Sequence, residues 1–269
     1  MSNRVFHENV VIITGASSGI GRELAYQLAD QGAWLSLGAR DKKRLQDVAT
    51  ECQQRGARTL ITQTDVTDQA QCQKLVACTL RAFGRVNTLV NNAGISMWAL
   101  FEELQDLSII KKIMRVNFFG SVYCTHYALP HLKKTRGRIV AIASLTAIHG
   151  VPTRTGYAAS KHAVKGFFDS LRIELAGSGV TVTVSYPDFV ATEARQRTLG
   201  FDGQPIGESP IDEDKVMTAE NCVQILVTAM EKRKREDKQT MKAKLGPWGK
   251  LIAPGLIDKI AQKAVHTDD

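Results

Sequence analysis

A chain of 269 residues with 43% hydrophobic residues can bury a full core, and its length suits one α/β domain over residues 1–269. The net charge of +8 fits a protein holding a multiply anionic cofactor as well as one binding nucleic acid or an anionic surface, so the distribution of charge matters more than its sum. Five cysteines without CxxC spacing and six histidines without a paired-ligand pattern exclude a disulfide framework and give no metal site. No stretch approaches the ~18 apolar residues of a membrane-spanning helix, so a cytoplasmic protein with no transmembrane segment is expected.

The first apolar run, NVVIIT at residues 9–14, reads as a strand and breaks into Thr14-Gly15-Ala16-Ser17-Ser18-Gly19-Ile20-Gly21. Glycines permit a tight turn and close backbone approach, and the free N–H groups of the helix that follows favour an anionic phosphate. Gly15, Ser17, Ser18, Gly19, Ile20 and Gly21 are therefore a candidate pyrophosphate cradle, against the alternative of an ordinary glycine-rich turn. A helix over 20–31, stopped at Gly32, leads to a second strand, AWLSLGA at 33–39. A carboxylate at that strand's end would hold a ribose 2′-hydroxyl, and an arginine would accept a 2′-phosphate. Ala39 stands at the carboxylate position and Arg40 follows, which points to NADP(H), with Ser17, Ser18 and Arg22 as helpers. The alternative is that Asp41 caps the next helix and Arg40 sits in solvent.

A helix over 41–55 stops at Gly56, and the third strand, RTLITQ at 58–63, leads to Asp65-Val66. The Asp65 carboxylate would either bond an adenine amino group or cap the helix of 67–83, which stops at Gly84. The fourth strand, VNTLVN at 86–91, closes in Asn91-Asn92-Ala93-Gly94, a candidate lining for the adenosine side of a cleft or a plain turn. A long helix over 103–134 carries Asn117 in an apolar setting, and the fifth strand, GRIVAIAS at 137–144, ends in Ser144. That serine can donate a hydrogen bond to a developing oxyanion or cap a turn.

The helix over 157–177 opens with YAASK, which sets Tyr157 and Lys161 one turn apart on one face. A tyrosine with a pKa near 10 rarely ionises at neutral pH. A cation about 4 Å away contributes roughly 4 kcal/mol at an effective dielectric of 20, about three pK units before desolvation opposes it. Lys161 is thus expected to ready Tyr157 for proton transfer. A sixth strand, VTVTVSY at 180–186, completes repeated βα units, which predict a parallel sheet with helices on both faces and functional groups beyond the strands' carboxyl ends.

The alternation breaks at 187–217, where Pro187, Pro205 and Pro210 interrupt a long aperiodic stretch that suits a substrate lid better than a disordered loop. A helix resumes near Thr218, and the basic run Lys232–Lys244 reads as a solvated helix end or edge. The apolar tail at 245–264 would close a substrate pocket, pack on another subunit, or make peripheral membrane contact.

TGASSGIG, Asp65-Val66, NNAG, Asn117, Ser144 and YAASK, in this order and at these strand ends, resemble the short-chain dehydrogenase/reductase family over about residues 8–230. The APG of the tail loosely resembles the hydroxysteroid-dehydrogenase-like branch. The resemblance implies a single-domain Rossmann-type doubly wound parallel sheet and hydride transfer between a nicotinamide and a carbonyl or secondary alcohol. It implies a catalytic set of Asn117, Ser144, Tyr157 and Lys161, with Asn117 reaching Lys161 through a water chain and NNAG steadying the central sheet. Pro187, Val190 and Thr192 would hold the nicotinamide, beside Asn92, Ala93, Gly94, Tyr157 and Lys161. Asp188 departs from the family's usual glycine, at a residue type that tolerates positive φ. The resemblance also implies a homodimer or homotetramer through the helices of 103–134 and 157–177.

Residues 95–101 and 145–154 are expected to meet a small to medium, apolar substrate through Met97, Trp98, Leu100, Phe101, Leu145, Ile148 and Val151, or to be local core. The alternative function is a non-catalytic NADP-binding sensor or scaffold that contacts nucleic acid or an anionic surface through the basic C-terminal region. Retention of all four catalytic residues argues against it, so no nucleic-acid partner is expected.

Overall fold

The six β-branched runs form six strands: β1 (Val10–Thr14), β2 (Trp34–Ala39), β3 (Arg58–Gln63), β4 (Thr88–Asn91), β5 (Arg138–Ile142) and β6 (Thr181–Tyr186). A computed structural model of the chain describes residues 4–209, 211–212 and 216–263, so Pro210 and residue 264 lie outside the described residues. Around the strands run α1 (Gly19–Asp30), α2 (Lys42–Gln54), α3 (Gln69–Phe83), α4 (Ser108–Met114), α5 (Gly120–Thr135) and α6 (Thr155–Glu174). The chain continues through β7 (Val190–Ala191), β8 (Met217–Thr218), α7 (Ala219–Glu231), β9 (Glu236–Lys238), α8 (Met241–Ile252) and α9 (Pro254–Lys263).

The main sheet is wholly parallel, in the order β3-β2-β1-β4-β5-β6-β9. From β1 the chain works outward to β3, then returns to lay β4 on the other side of β1. Between those two strands the connections diverge to opposite faces, which opens a crevice at their carboxyl ends. Every residue of β1 is buried, as expected for a strand covered on both faces. Val11 and Ile13 pack with Leu24, Leu28, Val48, Leu226 and Met230 of α1, α2 and α7. Ile12 points the other way, to Leu75, Leu132 and Phe168 of α3, α5 and α6.

Two expectations are corrected. The helix foreseen over 103–134 is broken: a 3-10 turn at Phe101–Glu103 and α4 lead into a π turn at Arg115–Phe119, and only then does α5 begin. Gly120 explains the local squeeze, because a Cβ there would lie 2.7 Å from Val66 Cγ2. Asn117 sits within the π turn, the kind of widened turn that often marks a functional site. The basic run at 232–244 contains a seventh strand, β9, rather than a solvated helix end. Its Asp237 is buried and accepts from Ser185 Oγ at 2.8 Å, which ties the strand to β6. The aperiodic stretch after β6 is clasped at its ends, where Val190 and Ala191 pair with Met217 and Thr218.

The tail forms two helices, α8 and α9. They expose Trp248, Leu251, Ile252 and Leu256, while Gly246 and Ile257 line the crevice, with Leu245 and Ile260 at its exposed rim. Among the described residues, no helix is long and apolar enough to cross a membrane.

Candidate active site

At the switch point the backbone does most of the building. Thr14 Oγ1 accepts from the Asn92 and Ala93 amides at 3.0 and 3.1 Å, and Asn92 Nδ2 donates to the carbonyls of Thr14 at 2.9 Å and Gly15 at 3.2 Å. The NNAG stretch thereby grips the glycine turn. Gly15 has φ +65°, and a Cβ there would come within 2.8 Å of Ala93 Cα. A Cβ on Gly21 would lie 2.4 Å from both Asn92 Nδ2 and the Gly15 oxygen. The turn therefore ends at the bare amino terminus of α1, where the Ser18 side chain makes no cap bond and the first amides are left for an anion. This cradle fits a dinucleotide pyrophosphate, and Gly15, Ser17, Ser18, Gly19 and Ile20 line the cleft above it, with Gly21 packed behind. Thr192 closes over Gly19, at 3.3 Å from where its Cβ would be.

Beyond β2, the cap and the cleft meet. Asp41 caps α2 by accepting from the Arg44 amide at 3.0 Å, and Arg40 still lines the cleft. Sequence reasoning missed Arg197, which reaches from the stretch after β7 to donate to Ser18 Oγ at 2.6 Å. It missed Glu193 as well, which holds Arg22 at 2.8 Å and Arg44 at 3.2 Å. Nothing local signals either residue, because their partners stand about 150 positions or more away. Asp65 is fixed locally, accepting from Thr67 N at 2.9 Å and Thr67 Oγ1 at 2.8 Å, while Asp68 caps α3. Asp65, Val66, Asn92, Ala93 and Gly94 all line the cleft.

At the other end of the same cleft, α6 brings Tyr157 and Lys161 beneath the end of β5. Lys161 is 4% exposed and donates to the Ile142 carbonyl at 2.8 Å, with its Nζ 5.6 Å from the centre of the Tyr157 ring. Burial lowers the ammonium pKa to about 8. Ser144 lines the cleft beside Tyr157 and accepts from the Thr146 amide at 3.2 Å, so it caps the turn after β5. Desolvation raises the tyrosine pKa, and the field of Arg154, then Ser144, opposes that rise. Lys161 is therefore not the phenol's sole cationic neighbour: Arg154, three residues before Tyr157, has its Cζ 5.8 Å from the ring centre, against 5.6 Å for Lys161 Nζ.

Asn117 does not line the cleft; it builds the wall. Its Oδ1 accepts from the Ile95 amide at 2.8 Å, and its Nδ2 donates to the Ile95 carbonyl at 3.0 Å and to Ser160 Oγ at 2.9 Å. Ser160 in turn donates to the Tyr157 carbonyl at 2.7 Å. The amide so joins the loop after β4 to the turn of α6 that carries the tyrosine.

The cleft has a volume of about 1320 Å³ and takes in both ends. Pro187, Val190 and Thr192 line it as expected. Asp188 is not at positive φ, and its Oδ1 accepts from the Phe189 amide at 2.9 Å, so the exchange for glycine carries no left-handed strain. Of the seven residues expected to meet the substrate or to be local core, two line the cleft. Leu145 and Val151 line the cleft, but Met97 is core with Ile109, Ile113 and Leu199, Ile148 packs against the sheet-side cluster, and Leu100 and Phe101 face solvent. Their places are taken by Phe189, Arg154, His149, and by Leu245 and Ile257 of the tail. Among the described residues no group of His, Cys, Asp or Glu could hold a metal ion.

A doubly wound parallel sheet whose first turn can take a pyrophosphate, with a serine, a tyrosine and a buried lysine in the same crevice, defines a Rossmann-type oxidoreductase with a nicotinamide cofactor. The short chain dehydrogenase family model matches residues 9–200, and the chain belongs to that family. It is 37% identical over 268 residues to 11-beta-hydroxysteroid dehydrogenase 1A of Arabidopsis thaliana, covering 94% of this chain and 76% of that one. It is 47% identical over 182 residues to the 11-beta-hydroxysteroid dehydrogenase-like 4A protein of the same plant, covering 67% of this chain and 60% of that one. These relatives place it near the hydroxysteroid dehydrogenase branch. Among solved structures it is similar to an alcohol dehydrogenase of the archaeon Thermococcus sibiricus complexed with 5-hydroxy-NADP. That likeness has a TM-score of 0.72 and 27% identity, over 83% of this chain and 90% of that one.

Proposed function

We propose that the protein is an NADP(H)-dependent oxidoreductase that moves a hydride between the nicotinamide and a carbonyl or secondary alcohol on a small to medium, largely apolar substrate. The observation that carries this reading is the gathering of Ser144, Tyr157 and Lys161 in one cleft, with the Lys161 ammonium buried against the Ile142 carbonyl and 5.6 Å from the centre of the Tyr157 ring. The bound cofactor supplies or accepts the hydride. Tyr157 gives its proton to the substrate oxygen on reduction and takes it back on oxidation. Ser144, in the same cleft, donates a hydrogen bond to that oxygen as charge develops. Lys161 and Arg154 stabilise the phenolate, and Asn117 positions the tyrosine through Ser160.

The same proposal covers the binding residues. Gly15, Ser17, Ser18, Gly19, Ile20 and Gly21 take the pyrophosphate, Asp65 and Val66 the adenine, and Asn92, Ala93 and Gly94 the adenosine side. Tyr157, Lys161, Pro187, Val190 and Thr192 face the nicotinamide end. NADP rather than NAD is supported by Arg40 at the end of β2, with Arg197 nearby at Ser18, and by the NADP analogue in the archaeal relative. Residues 187–217 form the lid, and a homodimer or homotetramer uses the exposed Phe119 and Ile173 on the predicted helical faces. Purified protein should oxidise NADPH with one or more members of a panel of apolar ketones and aldehydes. Tyr157→Phe should lower that turnover by about 100- to 10,000-fold while NADPH still binds. A Tyr157→Phe variant as active as the wild type overturns the mechanism.

A further inference from the structure

Arg154 is 8% exposed, yet it lines the cleft a few ångströms from the reacting end. Its Nη1 donates to Ser96 Oγ at 2.8 Å, and its Nε has no hydrogen-bond partner. Three rings surround the guanidinium: Trp98 at 4.6 Å, Phe189 at 5.4 Å and Tyr157 at 5.8 Å. Among the described residues no carboxylate pairs with it. The acidic residues that line the cleft are committed elsewhere: Asp41 caps α2, Asp65 holds Thr67, and Asp188 accepts from Phe189. Arg195, 5.6 Å from the centre of the same Phe189 ring, is a cation and supplies no counter-charge to Arg154.

A buried cation is costly unless it is paired, and ring faces with one neutral hydroxyl offset only part of that cost. Burial and the nearby Arg195 hold the guanidinium below its ordinary value, at about 10, where it still carries its charge at neutral pH. The backbone also bears strain to place it. Thr153, directly before Arg154, lies at φ +63°, a region that a β-branched residue rarely occupies. Its carbonyl is held there by the Ala99 amide at 3.0 Å. Strain and an unpaired charge at the same spot in a cleft are retained where a ligand completes the site.

We infer that the substrate is an apolar oxo acid or hydroxy acid, and that Arg154 receives its carboxylate while Tyr157 and Ser144 hold the oxygen that reacts. A planar guanidinium with unused donors matches the two oxygens of a carboxylate, and the rings of Trp98 and Phe189 keep water from competing. The closeness of Arg154 to Tyr157 sets the carboxylate only a few carbons from the reacting carbon, and Leu145, Val151 and Leu245 accept the hydrocarbon remainder. The inference rests on Tyr157 as the proton-transfer group, but its binding test does not.

The test compares 3-benzoylpropionate with its methyl ester, which share one ketone and differ in one charge. In calorimetric titrations of the protein saturated with NADP, the acid should bind about 10- to 100-fold more tightly than the ester. With NADPH, kcat/KM should show the same preference, carried mainly by KM. Arg154→Gln should bring the acid-to-ester ratio close to one, and Arg154→Lys should restore part of it. Equal binding of acid and ester by the wild-type protein overturns the inference, and needs no variant. So does an Arg154→Gln effect that falls equally on both compounds, in kcat and with a displaced pH profile, because that would make Arg154 a positioning residue for Tyr157 alone. Preferential binding of the acid without turnover would leave the carboxylate site standing and overturn the proposed reaction.

Discussion

The two ends of the cleft are built in different ways. The dinucleotide end is made mostly of backbone: a glycine turn, the bare start of α1, and a strand-end loop clamped onto it by Thr14 and Asn92. The reaction end is made of side chains contributed by separate segments, including Ser144, Arg154, Tyr157, Phe189 and Leu245. A backbone site tolerates few residues at few positions, whereas a side-chain site can be reshaped one residue at a time. The first is fitted to a ligand common to many enzymes, and the second to the compound peculiar to this one.

The largest test of that contrast is Gly15→Val. A branched side chain at φ +65°, pressed on the Ala93 backbone, should cost about 2–5 kcal/mol of stability, and the stabilising shift that NADPH gives in a thermal melt should vanish. If the variant melts like the wild type and still responds to NADPH, the cradle is not backbone-limited. Arg40→Ala sharpens the comparison at a point where a side chain is proposed to serve the dinucleotide end. NADPH affinity should fall about 10- to 100-fold by fluorescence titration, with NADH affected far less; equal losses would remove the 2′-phosphate assignment.

The smallest effect concerns Lys161. Its folded pKa of about 8 lies below the reference value of 10.5, so between those values the unfolded chain holds the proton that the folded one has released. Stability should therefore rise with pH through that window, by on the order of 1–3 kcal/mol, and be lowest relative to a neutral residue below pH 8. Chemical denaturation of wild type and Lys161→Met should show the wild type gaining on the variant from about pH 8 to 10.5. Parallel pH curves would mean that the ammonium is better solvated than its position implies.

The same contrast explains what could be read without coordinates. The six strands, α1 to α3 and the glycine turn were legible because hydrophobic period and glycine placement act locally. The pairing of Tyr157 with Lys161 was legible because one helical turn fixes it. The π turn around Asn117 was not, since the partner its amide meets, Ile95, lies in a distant segment. β9 was hidden by its charges, because the burial of Asp237 depends on Ser185 far upstream. Arg154 sat inside the very stretch expected to meet the substrate and was passed over for the apolar residues around it. A guanidinium without a counter-charge becomes conspicuous only when its neighbours are known.

One contact in the tail bears on how large a molecule the enzyme admits. At Gly246 the backbone of α8 rests against the buried ring of His149, so closely that a Cβ would stand 2.0 Å from its Nε2. The hydrogen on that α-carbon is in effect the keystone of the roof. Even a methyl group at 246 would drive a wedge between ring and helix, lift the chain's last turns from the mouth, and let bulkier or wetter guests in.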